Sequence, residues 1–212
     1  MNKSAAVNPL ESFVNSFNID LSASYPTQDA DLIRQLPFIP GLKEILMLRQ
    51  VHGLEHATVW ILSESLGARW VDNHLLGGLS TEQGFYLYGQ VNKTDLHRAV
   101  AHALQRLNDG ESDMAVHPRC GTNLSVELLL TFGLAVGAHL LLPRTPIEQI
   151  LGLGMAATAA ANLAPELGML AQRYITTAIP FNLEIVDITV KPDSWGRTAH
   201  FVRVRWSEIT GA

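Results

Sequence analysis

A single cysteine among 212 residues excludes any disulfide within the chain. Charge is also scarce: Asp, Glu, Lys and Arg make up 17% of the residues, against about 25% in ordinary soluble domains, and that shortage points towards lipid. Basic residues number 15 against 20 acidic ones, a formal net charge of −5. With no Lys/Arg-rich run and no basic stripe interleaved with aromatics, a nucleic-acid partner is not expected. Glycine-rich stretches occur, but none has the G-x-G-x-x-G or Walker spacing that cradles phosphate, which argues against nucleotide binding. The stretch from Met1 to Tyr25 lacks the continuous apolar run of a secretory signal, so none is expected there.

What is present centres on Arg49-Gln50-Val51-His52-Gly53-Leu54-Glu55-His56-Ala57. On a helix, His52 and His56 fall at i and i+4 on one face, with Glu55 beside them. Two neutral imidazoles one turn apart can hold a Zn²⁺-like ion, and a neighbouring carboxylate can orient or deprotonate water; H-x-x-E-H is the inverted zincin pattern. The competing reading is a pair of packing histidines on an amphipathic helix. A second chemistry-bearing stretch, His117-Pro118-Arg119-Cys120-Gly121-Thr122, places an imidazole and a thiol three residues apart on a turn stiffened by proline. Either His117 or Cys120 can complete the site begun by His52 and His56. One of them leaves a coordination position for water, as in a catalytic site; both would close it as a structural one. Arg119 is placed to steady an oxyanion or a substrate anion, or to form an ordinary salt bridge. Cys120 also reads as a small buried hydrophobe or a nucleophile.

Together HGLEHA and HPRCGT resemble the bacterial membrane family called domain of unknown function 1385, whose signatures read HGAEHK and HPRCGTS and whose members are predicted to be metal-dependent. A third likeness runs from Leu167 through Gln172 to Thr176-Thr177, followed by Asn182-Leu183-Glu184-Ile185-Val186. The likeness runs in order from about Gln50 to Val186, with departures at Leu54, Ala57 and Asn123. It implies a membrane-associated, metal-dependent protein.

Along the chain, residues 1–36 read as a loosely ordered lead-in punctuated by Pro9 and Pro26. A helix is expected from Leu42 to about Leu66, stopped near Gly67, with Gly53 inviting the close approach of backbone or substrate, or packing on another helix. Leu75–Ser80 and Gly84–Val91 read as a β-hairpin over the metal face. Thr94–Leu107 reads as a helix capped by Thr94 or Asp95, on which His97 and His102, five apart, are surface or packing residues. From Leu124 to Leu142 only Glu127 and His139 are ionisable, a length sufficient for a hydrocarbon core of about 30 Å. With the small-residue-rich stretch Ile147 to Leu163 it reads as a membrane hairpin; a buried helical pair in a soluble protein is the alternative. Glu127 and His139 read as interfacial residues, and as secondary candidates for the site. After Pro165 a helix continues to Tyr174, and Leu183–Val190 with His200–Trp206 form a half-buried hairpin around Pro192–Gly196 that docks on the body or meets anionic lipid.

The expected fold is therefore α+β and mainly helical: a metal-site domain over residues 37–123, a membrane hairpin over 124–164, and a helix plus β-hairpin over 165–212. The expected function is a zinc-type metal-dependent hydrolase, peptidase-like in the first instance, with His52, His56 and either His117 or Cys120 as metal ligands and Glu55 and Arg119 as catalytic residues. The alternative is a non-enzymatic membrane scaffold or assembly factor whose His/Cys cluster is structural. Membrane lipid and a peptide or membrane-borne substrate are the expected partners, with self-association the remaining one. The excess of Lys and Arg outside the hairpin predicts termini on the cytoplasmic side.

Overall fold

The computed structural model describes residues 28–64 and 76–207. The chain is α+β and mostly helical. Helices α1 (Gln28–Gln35) and α2 (Leu42–Glu64) come first, then strands β1 (Gly77–Thr81) and β2 (Gly84–Tyr88), and helix α3 (Lys93–Asn108). A 3₁₀ turn (Ser112–Ala115) leads into the long helices α4 (Gly121–Leu141) and α5 (Pro146–Ala171). A π-helical turn (Gln172–Thr176) follows, then strands β3 (Leu183–Pro192) and β4 (Thr198–Trp206).

Helix α2 is the axis of the globular part. It packs on α3, on β1 and on the 3₁₀ turn. Val51, Leu54 and Ala57 are fully buried, and Leu96, Val100, Ala103 and Leu107 of α3 meet them in one core. The apolar periodicity expected of Thr94–Leu107 is thus realised, but its cap is Asn92, whose Oδ1 accepts the Asp95 N–H at 2.8 Å. Asn92 precedes the apolar period by a full turn and offers the short carbonyl that the end of a helix favours. His97 and His102 lie exposed on the outer face of α3. Arg106 of α3 bridges Glu64 of α2 at 2.8 Å and Glu111 of the following turn, locking the two helices at one end.

The two predicted hairpins are halves of a single antiparallel sheet in the order β1-β2-β4-β3. Phe85 stands opposite Val202, and both are fully buried on the core face. Tyr86 opposite Phe201 forms an aromatic pair at 4.7 Å on the other face. A lone two-stranded hairpin is marginal in water; joining β2 to β4 removes one edge from each half. Arg203 and Arg205 pair with Asp187 and Glu184 across the β3–β4 ladder, and the hairpin docks on the body through the sheet.

Residues 28–35 form a helix within the stretch read from sequence as lead-in; residues 1–27, and with them the signal-peptide expectation, lie outside the described residues, as does Gly67. Helix α1 is fastened by Asp29, buried, which accepts a hydrogen bond from Gln50 Nε2 at 2.5 Å. Gln50 also donates to Asn182 Oδ1 and accepts the Asn182 N–H at 3.1 Å, so one buried side chain joins α1, α2 and the start of β3.

Helices α4 and α5 are long and apolar enough to cross a membrane. They pack on each other through Gly152, Ala156, Ala160, Ala164 and Gly168, the buried residues of α5, spaced four apart on one ridge. A Cβ at Gly152 would meet Leu142, and one at Gly168 would meet Asn123, so only the missing side chains allow this approach. Helix α4 has no buried residue. Phe132 is 71% exposed and Leu141 86%. Pro165 lies inside α5, which runs unbroken from Pro146 to Ala171. Its ring removes one i→i−4 bond, to the carbonyl of Ala161, without ending the helix.

Candidate metal centre

Three donors converge from two elements. His52 and His56 project from one face of α2, and Cys120 is the N-cap of α4. Their ligand atoms all lie within 4.8 Å of one another. The two imidazole rings stand edge to face with centroids 4.3 Å apart.

The backbone around them decides which nitrogens are available. His52 Nδ1 lies 3.0 Å from the Thr176 carbonyl and His56 Nδ1 lies 2.7 Å from the Ala115 carbonyl. A carbonyl only accepts, so each Nδ1 carries the proton and donates, leaving Nε2 with its lone pair. That is the orientation in which histidines ligate metals, the second nitrogen being held by a backbone oxygen. Cys120 Sγ lies 3.2 Å from His52 Nε2. Since that nitrogen accepts, the thiol donates to it. The sulfur in turn accepts the Thr122 N–H at 3.4 Å, the first turn of α4.

The surroundings favour neutral forms. Burial lowers the pKa of His52, against the pull of the Thr176 carbonyl. Burial also holds His56 well below the ordinary histidine range, reinforced by His52 and His117. Burial pushes the Cys120 thiol up, with Thr122 opposing and Glu55 adding to the rise. Neutral imidazoles are ready ligands, whereas the thiol must lose its proton to bind, which a metal ion brings about.

Glu55 stands next to this group, buried, its Oε2 accepting from Ser80 Oγ of β1 at 2.9 Å. Burial raises its pKa to about 7, with Ser80 partly offsetting. A Cβ at Gly78 would fall on Glu55 Oε1 and Cδ; a glycine there is what admits the carboxylate. Gly53 serves packing instead, since a Cβ there would lie 2.6 Å from the Ala178 carbonyl oxygen. Backbone of the segment after the π-helical turn, rather than another helix, makes that approach. A hairpin lies over the His52/His56 face: β1 residues Gly77 to Ser80 line a cavity of about 610 Å³ together with His52, Glu55, His56 and Cys120.

His117 lines the same cavity but is not in the three-donor group. Its ring lies 5.7 Å from His56 and 4.7 Å from Trp60, and its Nδ1 accepts the Arg119 N–H at 3.3 Å. Its backbone N–H donates to the buried Gln172 Oε1 at 2.8 Å, and Gln172 Nε2 donates to Asn123 at 2.7 Å, so one glutamine holds the HPRCGT turn against α5. Arg119 also lines the cavity and donates to the Leu76 carbonyl at 3.2 Å. Glu127 and His139 are outside the cluster; His139 Nδ1 pairs with Gln149 at the far end of the hairpin.

Ser80, Gly78, Thr176 and Ala115 are the site residues that sequence reasoning missed. For Thr176 a signal existed in the Gln172-to-Thr177 likeness; for Ser80 and Gly78 the signal was the glycine-rich hairpin.

Residues 47–188 match the family described as Domain of unknown function (DUF6391). The chain belongs to that family. It is 54% identical over 187 residues, 86% of this chain and 91% of the relative, to an uncharacterized protein of Picosynechococcus sp. (strain ATCC 27264 / PCC 7002 / PR-6). No solved structure matches the chain. The family shown is thus one of unknown function, and the likeness to domain of unknown function 1385 rests on the HGLEH, HPRCGT and Gln172-to-Val186 residues alone.

Proposed function

We infer that this member of the DUF6391 family is a membrane-bound, metal-dependent hydrolase. The observation that carries the reading is the convergence of His52, His56 and Cys120 in one cavity with the buried carboxylate of Glu55. Two nitrogens and a thiolate suit Zn²⁺ or a similar divalent transition metal, and three protein ligands leave a coordination position for water. A bound ion supplies Lewis-acid activation of water and of the bond to be cut. Glu55, with its pKa near neutrality, takes a proton from water as that water adds to the carbonyl carbon, and returns it to the leaving nitrogen or oxygen. Arg119 steadies the negative charge that develops on the carbonyl oxygen. Amide hydrolysis is the first class to consider, because H-x-x-E-H is best known there. The HGLEH and HPRCGT likeness to a family predicted to be metal-dependent points the same way.

Helices α4 and α5 are read as a membrane hairpin, with the metal-bearing domain at the bilayer surface. Their connection carries Arg144 alone, and the richer Lys and Arg content of the remainder supports a reading with the domain and both termini on the cytoplasmic side.

The test is Glu55→Gln. Metal content should stay at about one ion per chain while hydrolysis falls by about a hundredfold or more; full turnover in the variant removes Glu55 from the mechanism. A second reading comes from the 3.2 Å Cys120–His52 contact, which is also the geometry of a thiol–imidazole nucleophile pair. It requires a thiolate in the absence of metal, whereas burial here favours the thiol. Rapid alkylation of Cys120 in metal-free protein near neutral pH would favour that pair over the metal centre.

A further inference from the structure

The cavity around Glu55 and the three donors changes character from floor to rim. Along α2, Ile45 and Leu48 precede His52 and His56 as lining residues, and they are 56% and 40% exposed. Ile175, in the π-helical turn after α5, lines the same cavity and is 67% exposed. Exposed apolar residues continue beyond the rim at Phe38 and Ile39, in the turn that leads into α2. Charge is equally one-sided. Arg49 and Arg119 both line the cavity, and Glu55 is the only acidic lining residue among those described.

The position of this cavity on the hairpin decides what would meet the apolar rim. Cys120 immediately precedes α4, and Ile175 lies in the turn that follows α5. The donors and the rim therefore sit at the root of the two apolar helices. A helix of this length spans about 30 Å, the thickness of a hydrocarbon core, so the root falls at the level of the lipid headgroups. Apolar side chains on a water-facing rim would be an unpartnered patch; at headgroup level they continue the bilayer interior up to the reacting centre.

We propose that the substrate is an anionic amphiphile taken directly from the bilayer. Its hydrocarbon chain lies over Ile45, Leu48 and Ile175, its anionic group meets Arg49 and Arg119, and its scissile bond is presented to His52, His56, Cys120 and Glu55. This rests on the metal-centre reading above and adds the substrate class to it.

The test uses the full chain in phosphatidylcholine nanodiscs, loaded with Co²⁺, whose visible spectrum reports on a His/Cys site without any turnover. Dodecyl phosphate, inorganic phosphate and dodecyl maltoside are titrated separately. Dodecyl phosphate should perturb the spectrum at a concentration at least about tenfold lower than inorganic phosphate, and dodecyl maltoside should have little effect. The exposed-site double variant Ile45→Ser/Ile175→Ser should keep the starting Co²⁺ spectrum and lose most of that chain-dependent advantage; Arg119→Gln should lose the preference for the anion over the maltoside. Equal potency of dodecyl and inorganic phosphate overturns the proposal and leaves the metal centre standing. So does an undiminished advantage in the double variant, which would mark simple partitioning into the disc. Absence of any thiolate–cobalt spectrum in the wild-type protein overturns the metal centre, and the substrate class with it.

Discussion

Helices α2 and α4 have nearly the same length, 23 and 21 residues, and invert the usual relation between polarity and burial. Helix α2 buries Gln50, Glu55, His56, Thr58 and Ser63 among its apolar residues, whereas α4, with Glu127 and His139 as its only ionisable side chains, buries nothing. The polar groups of α2 are tolerable because each has a partner: Thr58 Oγ1 donates to the Leu54 carbonyl, Ser63 Oγ to the Val59 carbonyl, and Glu55 accepts from Ser80. An uncovered apolar helix in water would be an aggregation surface; in lipid it needs no cover. One helix thus holds polar groups inside protein, and the other leaves its apolar surface uncovered.

The comparison breaks most completely if the donors are not a metal site. His56→Ala and Cys120→Ala should each lower metal content from about one ion per chain to less than about a tenth, by elemental analysis of purified protein. Retained metal in both would place the ion elsewhere. For α4 the corresponding test is Phe132→Arg. In lipid the charge costs about 3 kcal/mol at the middle of a helix, so the variant should be lost from the alkali-resistant membrane fraction; if α4 faces water, the same change is neutral or improves solubility.

A pH experiment sharpens the contrast from the side of α2. Burial raises the Glu55 pKa to about 7 in the folded chain, against 4.5 for a free glutamate side chain. Between those values the native state holds a proton that the unfolded chain has released, so stability falls as pH rises through that window and levels off above about 7. His52 and His56, with lowered pKa values, act in the opposite sense below 6.5. Subtracting the pH profile of metal-free Glu55→Gln isolates the carboxyl, whose contribution over the window is about 3 kcal/mol. A difference flat from pH 4 to 8 would contradict its burial. Gly78→Ala should displace the carboxylate from Ser80 and reduce turnover about tenfold, with metal retained; unchanged turnover would mean that the carboxylate tolerates the shift. Smallest is Thr58→Val, which removes one internal hydrogen bond and should cost about 1 kcal/mol in denaturant unfolding.

The parts of the molecule legible in the sequence are those with a local period. The i, i+4 histidines, the apolar face of α3, the alternation of Val202, Arg203, Val204 and Arg205, and the long apolar runs of α4 and α5 each express a repeat that a short window reveals. What was not legible depends on contacts between distant segments. The pairing of β2 with β4 joins residues more than a hundred apart. The carbonyls of Ala115 and Thr176 that orient the two histidines belong to backbone, which sequence does not distinguish. The choice between His117 and Cys120 was open in sequence because both sit on one turn; in three dimensions the sulfur joins the imidazoles, while His117 packs against Trp60.

Cys120 belongs to two structures at once. Its sulfur accepts the N–H that opens α4, and it lies against His52 at the centre of the donor group. One atom shared in this way makes the root of the hairpin and the donor group reciprocal: whatever free energy an occupant of the cluster gains from a well-placed sulfur is returned as tighter anchoring of α4. Under the proposed function the hairpin is then more than a passive tether: how firmly α4 is seated and how firmly the cluster would grip an ion become two readings of a single equilibrium.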